Sequence, residues 1–581
     1  MRAFLGGAAC VLVAVGAAPS VAQWTPDAAA NTLVAGGAGI QAKVRLSPVA
    51  GGGSYVSWWQ SEDAPVYWSL RLNRLMRDGA RAWPADVVVA NAAATTTLGA
   101  TTVNGSFYDV NYDLKTDAQG NAVLVWTDFR AFGSRNVFAQ RISPAGAPEW
   151  VAGGVALTND ATFKRDPRVV ATSDGRYAAV WFASTSPPTL RMQVLSSAGA
   201  PMLVAGGQAI VTATTASRPP DRFEAVAGEG GSVIVAWIRE FSTSSSATRW
   251  VAAQKFAFEP SGSSVGGVWN GGQPVTVSAQ NVGVQTQAAP FATNYPRVAL
   301  APAPGPNGEA GGCVLAFFDA RSGVQNVYAQ RLTPAGVPMW AGDGVSVSTD
   351  ASRSRIEPAI TFDSAGDALW VFCREIDAGH GTQGVLVQRL DSSGARAFGD
   401  AGLLAAPMGA GLKFALRAAA SGGGAVVFWA QDAGTAPSVQ TIAGARVGPS
   451  GALSWPGSIA SVALTPSNKI LVQHPLDTSP SGSVARDGFA VAFGYPTGAV
   501  VAWQDARSDQ ADVYAQQLNT CGTPGLLGLT DINGSGARAV DDIFFFLSAW
   551  FASDPVADAN GDNVRDVSDI FAFLSAWFAG C

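Results

Sequence analysis

The feature that most constrains this 581-residue chain is that it repeats itself. The stretch AVLVWTDFRAFGSRNVFAQRISPAGAPEW, ending at Trp150, returns as CVLAFFDARSGVQNVYAQRLTPAGVPMW, ending at Trp340, and as AVVAWQDARSDQADVYAQQL, ending at Leu518. Each unit is an apolar strand with an aromatic end, an Asp-x-Arg turn, an alternating strand, then Pro-Ala-Gly and a Trp. A strand such as GVSVS follows the Trp, and a short strand such as PRVAL opens the next unit. The aromatic position recurs at Trp58, Trp126, Trp181, Trp237, Phe317, Phe372, Trp429 and Trp503. Its spacing of roughly 55 to 80 residues leaves room for about four short strands per unit. Eight such units predict a mainly β fold, an eight-bladed β-propeller spanning residues 23–518. An open stack, or two smaller propellers, is the alternative arrangement of the same units.

The ends of the array indicate closure. The last unit stops after DVYAQQL and lacks its Trp-led strand, while the orphan TLVAGGAGIQA near the start resembles the missing piece. Pairing Leu33–Ile40 with the strand around Val513–Leu518 would remove the exposed sheet edges of an open array.

Composition narrows the function classes. Residues 1–22 carry one Arg, an apolar run and small residues at Ser20 and Ala22, the pattern of a cleaved secretory signal. Cys10 lies too early in the apolar run for a lipoprotein site. No later stretch approaches the ~20 apolar residues of a membrane span. Two histidines leave little scope for His-based chemistry, and a net charge of −6 does not suit nucleic acid. The eight Asp and two Arg from Cys521 onward account for that entire net charge.

Within the repeats, the pairs Asp128/Arg130, Asp319/Arg321 and Asp505/Arg507 occupy the same place in three units, which is the mark of an architectural turn rather than of a reaction centre. The unit aromatics and the Ala-Gln-Arg residues read as packing between blades. Features found once are better ligand-face candidates. The stretch CREIDAGHGTQG gathers Arg374, Glu375, Asp377 and His380, and WIREFSTSSSATRW brings Arg239, Glu240 and Trp250. The repeated Ser-x-Asp-x-Gly-x-Thr-Trp boxes of propeller sialidases are missing, as are a Gly-x-Ser-x-Gly elbow and a phosphate-cradling Gly-rich loop.

The C-terminal residues 519–581 form a separate unit. A twelve-residue loop from Asp558 places oxygens at Asp558, Asn560, Asp562, Asp566 and Asp569, with the Val564 carbonyl at position seven, the spacing of a Ca²⁺ cage. An earlier loop offers Asp531, Asn533, Ser535, the Ala537 carbonyl and Asp542, but Ala539 stands where a side-chain ligand belongs. Two Ca²⁺ ions are therefore expected, the second loop binding more tightly. Each loop leads into an aromatic helix. Two calcium loops, each followed by a helix and ending in Asp, resemble a dockerin, particularly the dockerin-like tails that end in Gly-Cys. That resemblance implies a module that folds on Ca²⁺ and docks on a cohesin-like or other anchoring protein. The position-10 and -11 residues Val567-Ser568 and Val540-Asp541 depart from the Ser/Thr pair of many dockerins, which puts a conventional cohesin in doubt. Cys521 and Cys581 bracket the module and are the expected disulfide, although four mature cysteines allow three pairings. Cys313 and Cys373 read as buried thiols.

Together these features describe an exported, non-catalytic propeller that binds or displays, meets extracellular polysaccharide or protein at its face, and is anchored by the calcium-dependent tail. The alternative is a propeller glycoside hydrolase or polysaccharide lyase carrying the same tail. Two carboxyl groups ~5–10 Å apart on the propeller axis would favour the alternative.

Overall fold

A computed structural model describes residues 24, 31–50, 53–62, 67–76, 79–90, 111–128, 130, 135–213, 220, 223–240, 249–259, 262–279, 298–304, 310–363, 368–379, 381–421, 423–432, 440–453, 489–495, 498–505, 512–519, 532, 539–552, 557, 559 and 565–579. Residues 1–22, the expected signal segment, lie outside them, as do Cys521 and Cys581. Among the described residues no helix is long and apolar enough to cross a membrane.

The strands form eight antiparallel sheets, the blades of a β-propeller. Blade 2 shows the plan: Tyr112–Thr116, Ala122–Asp128, Asn136–Ile142 and Val155–Ala156, paired in sequence order. The aromatic-ended strand is the second of each blade. It is buried on both faces, which is why AVLVWTD and YAAVWFA are nearly continuous apolar runs instead of alternating ones. The first strands touch in an unbroken cycle from Gln41–Pro48 in blade 1 round to Phe489–Tyr495 in blade 8 and back, so they line the axis of a closed ring.

Eight apolar clusters fill the ring, one at each junction between neighbouring blades. The second-strand aromatic always belongs to the cluster shared with the preceding blade: Trp126 packs among blade 1 residues, Trp181 among those of blade 2. This rule corrects one assignment. In blade 6 the residue facing blade 5 is Cys373, while Phe372 faces blade 7. Strand register agrees, because Val371, two residues before Cys373, opposes Gln388 as Leu124 opposes Gln140 in blade 2. Cys373 therefore holds the aromatic's place. Both Cys313 and Cys373 are buried free thiols whose pKa burial pushes up.

Outside these clusters runs a second contact. The Trp after the third strand lies on the turn glycine of the next blade: Trp83 on Gly146, Trp150 on Gly199, Trp269 on Gly336, Trp340 on Gly394. Gly199 has φ +80°, and a β-carbon there would stand 2.5 Å from the Trp150 ring, so only glycine fits. The indoles also donate to the same turns, Trp150 Nε1 to Ser197 O at 3.1 Å and Trp269 Nε1 to Pro334 O at 2.8 Å. The Gln of Ala-Gln-Arg works inside its own blade, which corrects the expectation of inter-blade packing. Gln140 Oε1 accepts from Trp150 N at 3.1 Å and its Nε2 donates to Val151 O at 2.8 Å, fastening the Trp-bearing turn to the third strand. Gln254 and Gln330 do the same for Trp269 and Trp340.

The N-terminal segment completes blade 8, whose order is Phe489–Tyr495, Gly498–Asp505, Asp512–Asn519 and, outermost, Thr32–Ala35. Leu33 opposes Tyr514 and Ala35 opposes Val513. The closing strand is shorter than Leu33–Ile40 because Gly37 and Gly39, at φ 112° and 98°, turn the chain into blade 1. Trp24 supplies the latch that blade 8 otherwise lacks, lying on Gly79 of blade 1. The Asp-x-Arg pairs are local. Asp128 is fully buried and accepts from Arg130 Nε at 2.8 Å and Trp126 Nε1 at 2.9 Å. Asp319 and Arg321 repeat this at 2.9 Å, with the guanidinium over the Tyr328 ring. Arg507 lies outside the described residues.

Two predictions follow from this packing. Trp24→Ala should remove a buried aromatic worth about 3–5 kcal/mol and open blade 8, lowering the unfolding midpoint and exposing residues near the N-terminus to protease. An unchanged midpoint would show that the ring closes without it. The second concerns Asp117, which ties blade 2 to blade 3 by accepting from Tyr177 Oη at 2.7 Å and Arg141 Nε at 2.9 Å. Burial acts to raise its pKa, but hydrogen bonds from Asn121, Tyr177 and Arg141 outweigh it and hold the pKa below the ordinary value. Its contribution is thus present above the unfolded pKa of about 3.9 and fades as pH falls through the lower folded value. The stability gap between the natural protein and Asp117→Asn should be widest near neutrality and shrink below pH ~4.

Candidate functional site

Within each blade the start of the first strand pairs with the end of the second, so both lie at one end of the sheet. At this end four first strands carry a β-bulge whose residue has positive φ although it is not glycine: Lys43 (58°), Asp166 (51°), Glu357 (54°) and Ala415 (56°). In each, two residues oppose one: Trp58, Trp181, Cys373 and Trp429 respectively. Such backbone persists only where its surroundings hold it. Lys43 N donates to Gln504 Oε1 of blade 8 at 2.9 Å, and Lys43 O accepts from Tyr112 Oη of blade 2 at 2.7 Å.

The bulges bring charges from separate blades together. Asn111 Nδ2 of blade 2 donates to Asp166 Oδ1 of blade 3 at 2.6 Å, and Lys43 Nζ reaches Asn111 Oδ1 at 3.5 Å. Arg168 Nε meets Glu224 Oε2 of blade 4 at 3.1 Å. Asp113 Oδ2 accepts from Val169 N at 3.1 Å. Partial burial opposes the Arg168 charge, but Glu224, Asp113 and Asp166 outweigh it and push its pKa up. Carboxylates of three blades thus favour one guanidinium charge, Glu224 by direct contact and Asp113 and Asp166 through the field. No single stretch of sequence contains this cluster, since its members are spread from residue 111 to residue 224.

The candidates read from sequence divide. Arg374 and Glu375 lie in strand Leu369–Ile376, not in the loop, and are buried. Glu375 stands two residues after Cys373, the place of Asp128 in blade 2, and pairs with Arg355 at 2.6 Å and Arg353 at 3.1 Å. It is a variant of the architectural Asp. Arg374 NH1 holds Glu357 Oε1 at 3.0 Å. Asp377 Oδ2 accepts from Thr382 Oγ1 at 2.7 Å, and His380 lies outside the described residues. In blade 4 that same architectural position, two after Trp237, is Arg239. It opposes Trp250, as Glu240 opposes Arg249. Arg239 lines a cavity of about 300 Å³ with Thr212, Pro220, Gln273 and Pro274, between the outer strand of blade 3 and blade 4. The sequence signal for it was the inversion of charge at a repeat position, visible once the units are aligned by register.

In the tail, α1 (Val540–Phe551) and α2 (Val567–Ala579) pack through Phe546 and Phe573, stacked at 4.2 Å and 4°. Asp542 and Asp569, the twelfth positions of the two loops expected to bind calcium, are buried at equivalent places. Asp542 Oδ2 accepts from Ala539 N, and Asp569 accepts from Ala559 N and Asp566 N, each at 2.8 Å. Asp566 Oδ1 accepts from Ser568 N at 2.7 Å. The other positions expected to ligate calcium, Asp531, Asn533, Ser535, Ala537, Asp558, Asn560, Asp562 and Val564, lie outside the described residues. The other faces of the helices are apolar and exposed, with Phe551 77% and Phe578 75% exposed at matching positions.

Arg168→Met should leave Glu224 without its charged donor and lower stability by about 1.5–3 kcal/mol, the scale of a charged hydrogen bond. Glu224→Gln in that background should recover part of the loss, measured as a non-additive double-mutant cycle in denaturant unfolding. Strict additivity would mean that the cluster is not coupled.

No protein-family model matches the chain, and comparison with curated proteins finds no match. Solved structures show a distant likeness. A protein of unknown function from Dyadobacter fermentans aligns at TM-score 0.31 and 10% identity, covering 62% of this chain and 95% of that one. The Penicillium chrysogenum alpha-L-arabinanase aligns at TM-score 0.29 and 14% identity, covering 62% and 97%. The Fusarium graminearum GH93 alpha-L-arabinofuranosidase aligns at TM-score 0.29 and 13% identity, covering 64% and 97%. At these scores the likeness carries no inference about site or substrate.

Proposed function

We propose that this is an exported, non-catalytic propeller that binds an anionic extracellular ligand, with carboxylated polysaccharide the leading class, and is held to a surface or assembly by its tail. The observation that carries the binding role is the Arg239 cavity. A position that is acidic in blades 2 and 5 becomes a guanidinium in blade 4, beside Gln273 and Thr212, in a space of about 300 Å³. That volume is at the small end of ligand pockets. Arginine matches a carboxylate in charge and geometry, and Trp250 stands opposite it in the adjoining strand.

The tail would hold Ca²⁺ through the two loops ending at Asp542 and Asp569, the metal drawing together carboxylates that otherwise repel. The exposed aromatic faces of α1 and α2 suit a protein partner, because the tail's own core is already filled by the Phe546–Phe573 stack.

The hydrolase or lyase reading rests on the axial carboxylates. Against it, Glu224, Asp166 and Glu357 each accept a hydrogen bond from a positioned donor, Arg168, Asn111 and Arg374. They serve as ties at the bulged end of the ring. One experiment separates the readings: titrate the full chain with oligogalacturonate and neutral oligosaccharides by calorimetry, then incubate and look for shortened products. Binding of the acidic glycan without cleavage, weakened about tenfold or more by Arg239→Ala, is expected. Turnover lost in Asp166→Asn or Glu224→Gln would establish the enzyme instead. For the tail, Ca²⁺ titration of the full chain should show two unequal phases, the tighter one lost in Asp558→Ala and the weaker in Asp531→Ala. A single phase unaffected by either substitution would refute calcium binding at these loops.

A further inference from the structure

The repeat makes one buried position comparable around the ring. Two residues before the bulge, blades 3, 6 and 7 bury a cation: Lys164, Arg355 and Lys413. Lys164 Nζ sits 2.5 Å from Asp160. Arg355 has Glu375 at 2.6 Å and Asp350 at 3.4 Å. Blade 7 omits the acids. Opposite Lys413 in the ladder stands Gln431, where Glu375 stands opposite Arg355. Four residues before Lys413 is Gly409, where Asp160 precedes Lys164. The bulge residue itself is Ala415, where blades 3 and 6 have Asp166 and Glu357.

Lys413 is nonetheless only 6% exposed, and its ammonium donates to one acceptor, Gln383 O at 2.8 Å. No carboxylate lies within ion-pair distance of it among the described residues. Gln383 is 1% exposed. Its Oε1 accepts from Lys413 N at 3.0 Å and from Arg374 NH2 at 3.1 Å, which leaves its Nε2 buried with no hydrogen-bond partner. Arg374 Nε, beside it, is also buried without an acceptor. Burial, and then the Arg374 charge, push the Lys413 pKa down, as expected for an uncompensated amine.

The two unmet groups next to Lys413, Gln383 Nε2 and Arg374 Nε, are both donors, and the charge acting on Lys413 is the positive one of Arg374. A water molecule would bring two more protons needing acceptors, whereas a monatomic anion accepts only. With Gln383 1% and Lys413 6% exposed, such burial favours a single small ion over an organic acid. We propose that the junction of blades 6 and 7 holds a halide ion, chloride in its natural setting, on Lys413 Nζ with Gln383 Nε2 as neighbouring donor. The anion takes the role that Asp160 has in blade 3 and Glu375 in blade 6. This site is separate from the Arg239 cavity and does not depend on the ligand proposed there.

The test is thermal unfolding of the full chain in sodium chloride, sodium bromide or sodium gluconate at equal ionic strength. Chloride and bromide should raise the midpoint, with equal increments per tenfold rise in concentration above the dissociation constant, and gluconate should not. Lys413→Met should abolish the increment. Because that variant can fail to fold, Gln431→Glu provides a second arm: it restores the acid of blade 6 and should give a midpoint independent of halide. Crystals soaked in bromide should show an anomalous peak beside Lys413. Equal midpoints in chloride and gluconate, a full halide increment surviving in Gln431→Glu, or a site holding water without bromide would each overturn the proposal.

Discussion

Everything in this molecule rests on the contact between one blade and the next. A four-stranded sheet buried on both faces cannot satisfy itself; its second strand needs a neighbour on each side. The chain answers with two repeated contacts. The second-strand aromatic fills the apolar junction toward the preceding blade, and the Trp after the third strand lies on the turn glycine of the following one. Because each apolar junction is shared by two blades, the array is stable only when the last blade meets the first. Trp24 and Thr32–Ala35 make that meeting, so the segment earliest in the chain completes the sheet that is latest.

Closure in turn creates the chemistry at the bulged end. Eight first strands converge there, and neighbouring blades hold positive-φ backbone that no isolated hairpin would keep. The bulges swing Lys43 and Asp166 into positions where they meet Asn111 of blade 2, and Glu357 onto Arg374 of its own blade. Repetition also makes departures readable. The position of Asp128 becomes Glu375 in blade 6, Gln431 in blade 7 and Arg239 in blade 4, and each change alters what the surrounding donors need. Where the charge is inverted beside a cavity a ligand site is proposed, and where the acid is deleted a donor-rich gap remains.

The tail follows different physics. Its two helices stack one aromatic pair and leave a second aromatic set exposed at matching positions, Phe544 with Phe571 and Phe551 with Phe578. This exposed apolar surface beside so small a core is the observation that supports the partner proposed for the tail.

The sequence by itself determined the number of blades, the junction aromatics of seven blades and the N-terminal closure, because each is written locally: a strand period, a glycine turn, a recurring Trp. It misplaced the blade 6 aromatic by one residue, since Phe372 and Cys373 are adjacent apolar residues on opposite faces and only the packing shows which face meets blade 5. It assigned Gln140 and its equivalents to blade contacts, since hydrogen-bond partners ten residues away leave no periodic signal. It also missed Trp24, which is separated from its strand by an insertion that the other units lack. The axial cluster of Asn111, Asp113, Asp166, Arg168 and Glu224 was decided by tertiary structure alone. Those residues are ordinary polar positions in three different units, and only the curvature of a closed ring brings their side chains within reach of one another.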